Sequence, residues 1–152
     1  MIEFESSIRI DRSITDVFPF VADQRNNPKW NYFVVDVKKT SNGPVDVGTT
    51  FHQTRKTDAQ DLRVAALDPN RSVEIETIPP SMPALRRWIE FRDENGGTVL
   101  IDRWKLDTGR AQLLERLGAG RIKSAVQENL GKLKELLQSG ATTLQDGRSV
   151  AL

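Results

Sequence analysis

The sequence contains no cysteine and a single histidine, His52, among its 152 residues. The absence of cysteine excludes disulfide bonds and thiol chemistry, and a lone histidine cannot build a histidine-rich metal site. There is no glycine-rich phosphate loop with a following lysine, no nucleophile elbow, and no pair of carboxylates at a spacing that suggests acid–base catalysis. No metal ion and no other cofactor is therefore expected.

The sequence also has no large excess of positive or negative charge and no long apolar run. Lys and Arg number 22 and Asp and Glu number 21, for a net charge of +1, which argues against nucleic-acid binding through bulk charge. No apolar run approaches the ~20 residues of a membrane-spanning helix. The first residues, MIEFESSIRI, alternate and carry acids, unlike a signal peptide. A cytoplasmic, single-domain protein without stable membrane insertion is the expectation.

The chain does contain several short segments in which apolar and polar residues alternate. From Ile2 to Ile10 the even-numbered residues share one face, which indicates a half-buried strand. Further strands are predicted at 32–38, 49–56, 62–67, 72–78, 86–92 and 98–106, with turn signals such as SNGP and ENGG between them. Consecutive strands joined by short turns imply antiparallel pairing.

Helical periodicity occurs in two places. Two short helices are predicted after the first strand, in DRSITDVFPFVAD and QRNNPKW, and a long one near the end of the chain. Its apolar arc comprises Ala119, Ile122, Val126, Leu130, Leu133 and Leu137. Leu113, Leu114 and Leu117 fall nearly opposite that arc, so a break is predicted at Gly118 to Gly120. Residues 139–152 lack periodicity and are predicted to be a disordered tail.

Five segments, taken in order, resemble one superfamily: IRIDRSITDVFPFVAD, NPKWN, DVGTTF, GGTVLIDRW and NLGKLKELL. They resemble the helix-grip superfamily of START domains, polyketide cyclases/dehydrases and Bet v 1-like allergens, and the polyketide cyclase/dehydrase-like branch in particular. The resemblance implies an α+β fold over residues 1–138, in which a curved antiparallel sheet of about seven strands grips the long C-terminal helix. It also implies an apolar cavity for a lipid, polyketide or similar molecule. Members range from carriers to cyclases, so the fold does not decide the activity.

The predicted ligand-binding residues are apolar side chains expected to face this cavity. They are Trp30, Phe33, Val35, Phe51, Ile89, Phe91, Trp104, Ala119, Ile122 and Val126. Trp30 either closes one end of the cavity beneath a lid of short helices or is a core anchor. The small residues between Gly118 and Ala125 would leave volume for a guest.

Three residues are weak candidates for catalysis: His52, Asp102 and Arg103. If Phe51 faces the cavity, His52 faces solvent, and a one-residue slip in register would reverse both. Asp102 would be a general base only on an internal, desolvating face, and the alternative interpretation pairs it with a surface arginine.

Arg103 is one of four arginines on or beside neighbouring strands, together with Arg86, Arg87 and Arg92. One of them, pointing inward, could orient a ligand oxygen or carboxylate, although the favoured interpretation places them on the solvent face of the sheet.

Three functions fit the sequence. The leading hypothesis is a protein that binds a small hydrophobic molecule. The second is a cyclase or dehydratase for a polyketide-like substrate, with His52 or Asp102 as base and an arginine orienting an oxygen. The third is a co-chaperone-like interaction module. A homodimer is left open.

Overall fold

A computed structural model describes all 152 residues and shows nine strands and two α-helices. In chain order the elements are β1 (Ile2–Ile10), α1 (Ile14–Ala22), a 3-10 helix (Gln24–Lys29), β2 (Val34–Lys39), β3 (Thr50–Arg55), β4 (Ala59–Asp68), β5 (Ser72–Thr77), β6 (Ala84–Glu94), β7 (Gly97–Asp107), α2 (Gln112–Ser139), β8 (Ala141–Thr143) and β9 (Ser149–Ala151). None of the helices combines the length and apolar character needed to cross a membrane.

Seven strands form one antiparallel sheet in the order β1-β7-β6-β5-β4-β3-β2. Each strand from β2 to β7 pairs with its neighbour in sequence, and β1 pairs with β7. The two short helices therefore lie in the one long connection across the sheet, from β1 to β2. Helix α2 packs against β1. This arrangement confirms the predicted α+β helix-grip fold.

The alternation in the sequence decides which side of the sheet meets the helices. In β1, Ile2, Ser6 and Ile10 are buried, whereas Glu3 and Glu5 on the other face are exposed. A cluster of 19 buried hydrophobic residues joins this inner face to α1 and to the second half of α2. Each large apolar side chain buried in such a core contributes about 1.5–3 kcal/mol.

The predicted break in the last helix is wrong, because α2 is one continuous helix of 28 residues. The prediction assumed that both leucine sets are buried. Leu113, Leu114 and Leu117 are instead 69%, 56% and 73% exposed, so no second buried face requires a bend. Glycines in the middle of the helix cost only about 1 kcal/mol each, which the surrounding turns tolerate.

The prediction of a disordered tail also differs from the structure. After Gly140 ends α2 in a left-handed conformation, β8 and β9 pair as a small antiparallel hairpin. Leu144 is buried at its turn, which supplies the apolar anchor that keeps so short a hairpin in place. The Asp146-Gly147 pair in that turn is a hairpin signal that the lack of long-range periodicity concealed.

We predict a pH dependence for this hairpin. Lys56 donates a hydrogen bond to the Asp146 carboxylate over 2.9 Å, and the backbone N–H and guanidinium of Arg148 donate to the same carboxylate. Together these donors lower the pKa of Asp146 from 3.8 to about 2. Since the folded pKa is depressed, the stabilisation is complete above the unfolded pKa of 3.8 and is lost as the pH falls through about 2.

The measurement is the melting temperature of the native chain and of Asp146→Asn across this pH range. The native chain should be the more stable at pH values above 3.8, and the difference should shrink as the pH falls to about 2. A difference that stays constant with pH would contradict the role of the Asp146 charge.

Candidate ligand-binding cavity

A cavity of about 270 Å³ lies between the middle of α2 and the inner face of the sheet. Sixteen residues line it, nine of them hydrophobic: Asn31, Tyr32, Phe33, Val34, Gln53, Arg55, Gln60, Pro83, Leu85, Trp104, Leu106, Thr108, Ile122, Ala125, Val126 and Asn129. A shallower depression of about 390 Å³ lies at the tail hairpin, but only three of its seven lining residues are hydrophobic. The cavity under α2 is therefore the candidate site for a small molecule.

Local periodicity explains why these side chains meet. Ile122, Ala125, Val126 and Asn129 stand three or four residues apart and so share one face of α2. In β7, Trp104 and Leu106 are two residues apart and point to the same side of the sheet. The small side chain of Ala125 between larger neighbours leaves part of the space unfilled.

The cavity wall presents no unpaired charge. Arg55 is the only charged lining residue, and its guanidinium makes two hydrogen bonds of 2.6 Å to the Asp58 carboxylate. The same guanidinium lies 5.3 Å from the centre of the Phe33 ring. The structure contains no group of three or more acidic or histidine side chains suited to a metal ion. Because an ionised group without a partner is costly to desolvate, the wall suits a neutral guest.

Amide side chains supply the polar part of the wall. Gln53 donates to Gln60 over 3.3 Å, and Gln60 donates in turn to the backbone carbonyl of Met82 at 3.2 Å. Asn129 differs, since its Oδ1 accepts a hydrogen bond from Gln145 while its amide nitrogen donates none within the protein. Asn129 therefore offers a donor to a carbonyl or hydroxyl oxygen on a guest.

Next to the cavity lies a buried ion pair between β6 and β7. Asp102 is fully buried and Arg87 is 6% exposed, and two hydrogen bonds of 2.8 and 2.7 Å join them. The guanidinium also lies 4.9 Å from the Trp104 ring and 5.4 Å from the Trp30 ring. Asp102 thus faces inward, but its partner is a buried arginine and not a surface arginine. A carboxylate held by both arms of a guanidinium is a structural group and not a free base.

The other two candidates for catalysis lie on the opposite side of the sheet. His52 is exposed on β3, and its Nδ1 lies 2.8 Å from a carboxylate oxygen of Asp61 on β4. Arg103 is partly exposed on β7 and donates to Glu5 at 2.9 Å and to Glu90 at 3.2 Å. The structure therefore does not bring His52, Asp102 and Arg103 together at the cavity.

The predicted ligand-binding residues separate into three groups. Phe33, Trp104, Ile122 and Val126 line the cavity. Four others belong to the packed core and are at most 3% exposed: Trp30, Phe51, Ile89 and Phe91. Trp30 is 2% exposed and belongs to the main hydrophobic cluster.

The third group, Val35 and Ala119, lies away from the cavity. Val35 is 51% exposed because the β2–β3 register shifts between Val34 and Asp36. Such a bulge adds one residue and reverses the alternation, so that Val34 and Val37 point inward instead. Ala119 is half-buried on α2, one turn before the lining residue Ile122.

The sequence did not predict the polar lining residues Asn31, Gln53, Arg55, Gln60, Thr108 and Asn129. For two of these residues, the sequence pattern does indicate a special position. Gln53 shares a strand face with Phe51, and Asn129 interrupts the apolar arc of α2 between Val126 and Leu130. A polar residue on a face that is otherwise buried marks a place where a hydrogen-bonding partner is needed.

Comparisons with known proteins agree with this geometry. A family model described as polyketide cyclase / dehydrase and lipid transport matches residues 1–138. Among solved structures, the Aha1 dimer from Colwellia psychrerythraea shares 19% identity with a TM-score of 0.66, over 91% of this chain and 97% of that one. Ara h 8.0201 shares 14% identity with a TM-score of 0.66, over 90% and 97%.

A third similar structure is the di-domain ARO/CYC protein BexL from the BE-7585A biosynthetic pathway. It shares 15% identity with a TM-score of 0.68, and the match covers 90% of this chain but 48% of BexL. At these identities the likeness shows a shared fold. No curated protein matches the sequence.

Proposed function

The chain belongs to the polyketide cyclase / dehydrase and lipid transport family, and we propose that it binds a small, neutral, mainly apolar molecule between α2 and the sheet. One observation carries the proposal: the cavity of about 270 Å³ has nine hydrophobic residues among sixteen and a single charge, already paired with Asp58. Concave apolar sites with a few polar groups are the usual form of small-molecule sites.

The cavity also limits the guest. Its volume of about 270 Å³ lies just below the ~300–1,000 Å³ typical of ligand sites, which favours a compact ring system or one acyl chain over a two-chain lipid. The unused amide nitrogen of Asn129 favours a guest with at least one hydrogen-bond acceptor. Trp104 offers an aromatic ring from the sheet side of the cavity.

A cyclase or dehydratase activity is the second candidate, supported by the fold shared with the ARO/CYC protein BexL. It would need a group that transfers a proton on the cavity wall. Asp102 is held by Arg87, and His52 lies on the outer face, so the binding function is favoured over catalysis. The co-chaperone-like role, the homodimer and the cytoplasmic location stay predictions.

We predict that Ala125→Phe blocks the cavity. A phenyl ring at this position occupies space the guest needs, and overpacking of this kind typically costs 1–3 kcal/mol, which corresponds to about a 5- to 150-fold loss of affinity. The measurement is a fluorescence titration with the neutral apolar dye Nile red, together with native mass spectrometry of protein purified without denaturation.

The matched control is Ser124→Phe, which adds the same ring to the exposed side of α2 one residue earlier. It should bind the dye as the native chain does. Equal binding by Ala125→Phe and Ser124→Phe, or no dye binding and no co-purifying molecule with the native chain, would contradict the proposed function.

A further inference from the structure

The first turns of α2 expose an apolar stripe to solvent. Leu113, Leu114 and Leu117 are 69%, 56% and 73% exposed, the largest cluster of exposed leucines in the chain. At 100° per residue they fall within an arc of about 100°, nearly opposite the buried arc of Val126, Leu130, Leu133 and Leu137. Three exposed leucines on one helix face indicate an interaction surface, because soluble proteins rarely leave a contiguous apolar patch exposed without a function.

Basic side chains surround this stripe, and no exposed acid accompanies them. Arg110, Arg116, Arg121 and Lys123 are exposed, and none has a carboxylate within 4.0 Å. Glu115 is the only acid between residues 108 and 127, and it is buried.

Glu115 is also fully engaged on the inner side of α2. It accepts hydrogen bonds from the Met1 ammonium and from Thr108, which lower its pKa to about 2. Its charge is therefore directed away from the stripe. The three leucines and the four basic residues together form one surface, the docking face.

We infer that the docking face binds the surface of an anionic lipid membrane. A helix that lies in the membrane interface needs an apolar stripe for the acyl boundary and flanking Lys or Arg for the headgroups, and the docking face has both. Its four unpaired cations are complementary to negatively charged phospholipids. The leucine side chains extend freely from the helix, so they can insert without rearrangement of the core.

A second copy of the chain fits this face less well. In a two-fold symmetric dimer the same patch meets itself, which would bring the four basic residues of both copies into one interface. Like charges brought together at an interface cost several kcal/mol. Charge complementarity therefore selects the anionic surface.

The docking face and the cavity lie on the same helix, but the proposal for the docking face does not depend on the cavity. Ile122 and Val126, on the other side of the same helix, line the cavity. Docking would thus bring one wall of the cavity to the lipid surface. The inference stands on the exposed leucines and cations alone, whatever the cavity holds.

The test is co-sedimentation with vesicles of phosphatidylcholine alone or mixed with phosphatidylserine. The native chain should bind the mixed vesicles and show little binding to the neutral ones. Arg116→Gln/Arg121→Gln should lower partitioning about 30-fold, since each basic residue near an anionic surface contributes roughly one kilocalorie per mole. Leu113→Ser/Leu114→Ser/Leu117→Ser should lower it at least about tenfold.

Two matched controls change exposed residues elsewhere: Val47→Ser/Leu152→Ser for apolar area and Lys38→Gln/Arg71→Gln for charge. Both should bind as the native chain does. Ala125→Phe should also keep vesicle binding, which separates docking from occupation of the cavity. Any of four results would overturn the inference. The first two are failure of the native chain to bind the mixed vesicles and equal binding of the native chain to the neutral ones. The other two are retained binding by either docking-face variant and a dimer of the native chain that the leucine variant dissociates.

Discussion

Replacement of Asp102 by alanine should lower the free energy of unfolding by about 3–5 kcal/mol, because it leaves the buried Arg87 cation without its partner. Arg87 is only 6% exposed and lies between the rings of Trp30 and Trp104, so solvent cannot replace the carboxylate. The measurement is urea denaturation, with the midpoint and slope compared to those of the native chain.

Two further variants separate the pair from a general effect of the site. Arg103→Ala removes an arginine next to Asp102 in the same strand, but on the outer face, and should cost no more than about 1 kcal/mol. Arg87→Leu/Asp102→Leu removes both charges together and should recover most of the loss, because no unpaired charge then remains buried. A cost below about 1 kcal/mol for Asp102→Ala would show that water reaches Arg87.

The same pair shows what the sequence could not reveal. Residues 98–106 present two apolar faces, one with Val99 and Ile101 and one with Leu100 and Trp104, and the alternation alone does not decide which of them is internal. The structure directs the face with Leu100 inward because Arg87 comes from the neighbouring strand to neutralise Asp102. Cross-strand compensation of this kind depends on pairing between residues distant in sequence.

Where one short-range pattern decides the structure, the sequence predicted it well. The strand over Ile2–Ile10 has the predicted bounds and inner face, and the apolar arc of α2 from Val126 onward is buried as expected. The errors arose at local exceptions to the pattern. The bulge beside Val34 reversed the inner face of β2, and the exposed leucines from Leu113 to Leu117 removed the reason for a break.

The candidate site was predictable only in part, because packing and ligand binding require the same kind of side chain. Phe51 and Phe33 are both apolar and both were predicted to contact a ligand. Phe51 is fully buried in the core, whereas Phe33 is half-buried at the cavity. Which role a residue takes depends on how closely α1 and α2 cover it, and this distance is not encoded in strand periodicity.

This distinction gives the second large effect. Phe51→Ala should lower the free energy of unfolding by about 3–5 kcal/mol, because it removes a fully buried ring and leaves a void that the core cannot close. Phe33→Ala should cost about 1 kcal/mol or less, since that ring is half-buried and borders space that is already open.

Binding of the apolar dye should show the reverse order. Phe33→Ala should weaken it several-fold through lost contact area, whereas Phe51→Ala, measured well below its unfolding transition, should leave affinity near that of the native chain. Urea denaturation and dye titration of both variants supply the two quantities. If Phe51→Ala instead impairs binding more than Phe33→Ala at equal folded fraction, the guest contacts the region that the structure fills with side chains. Phe51 would then belong to the binding site and not only to the core.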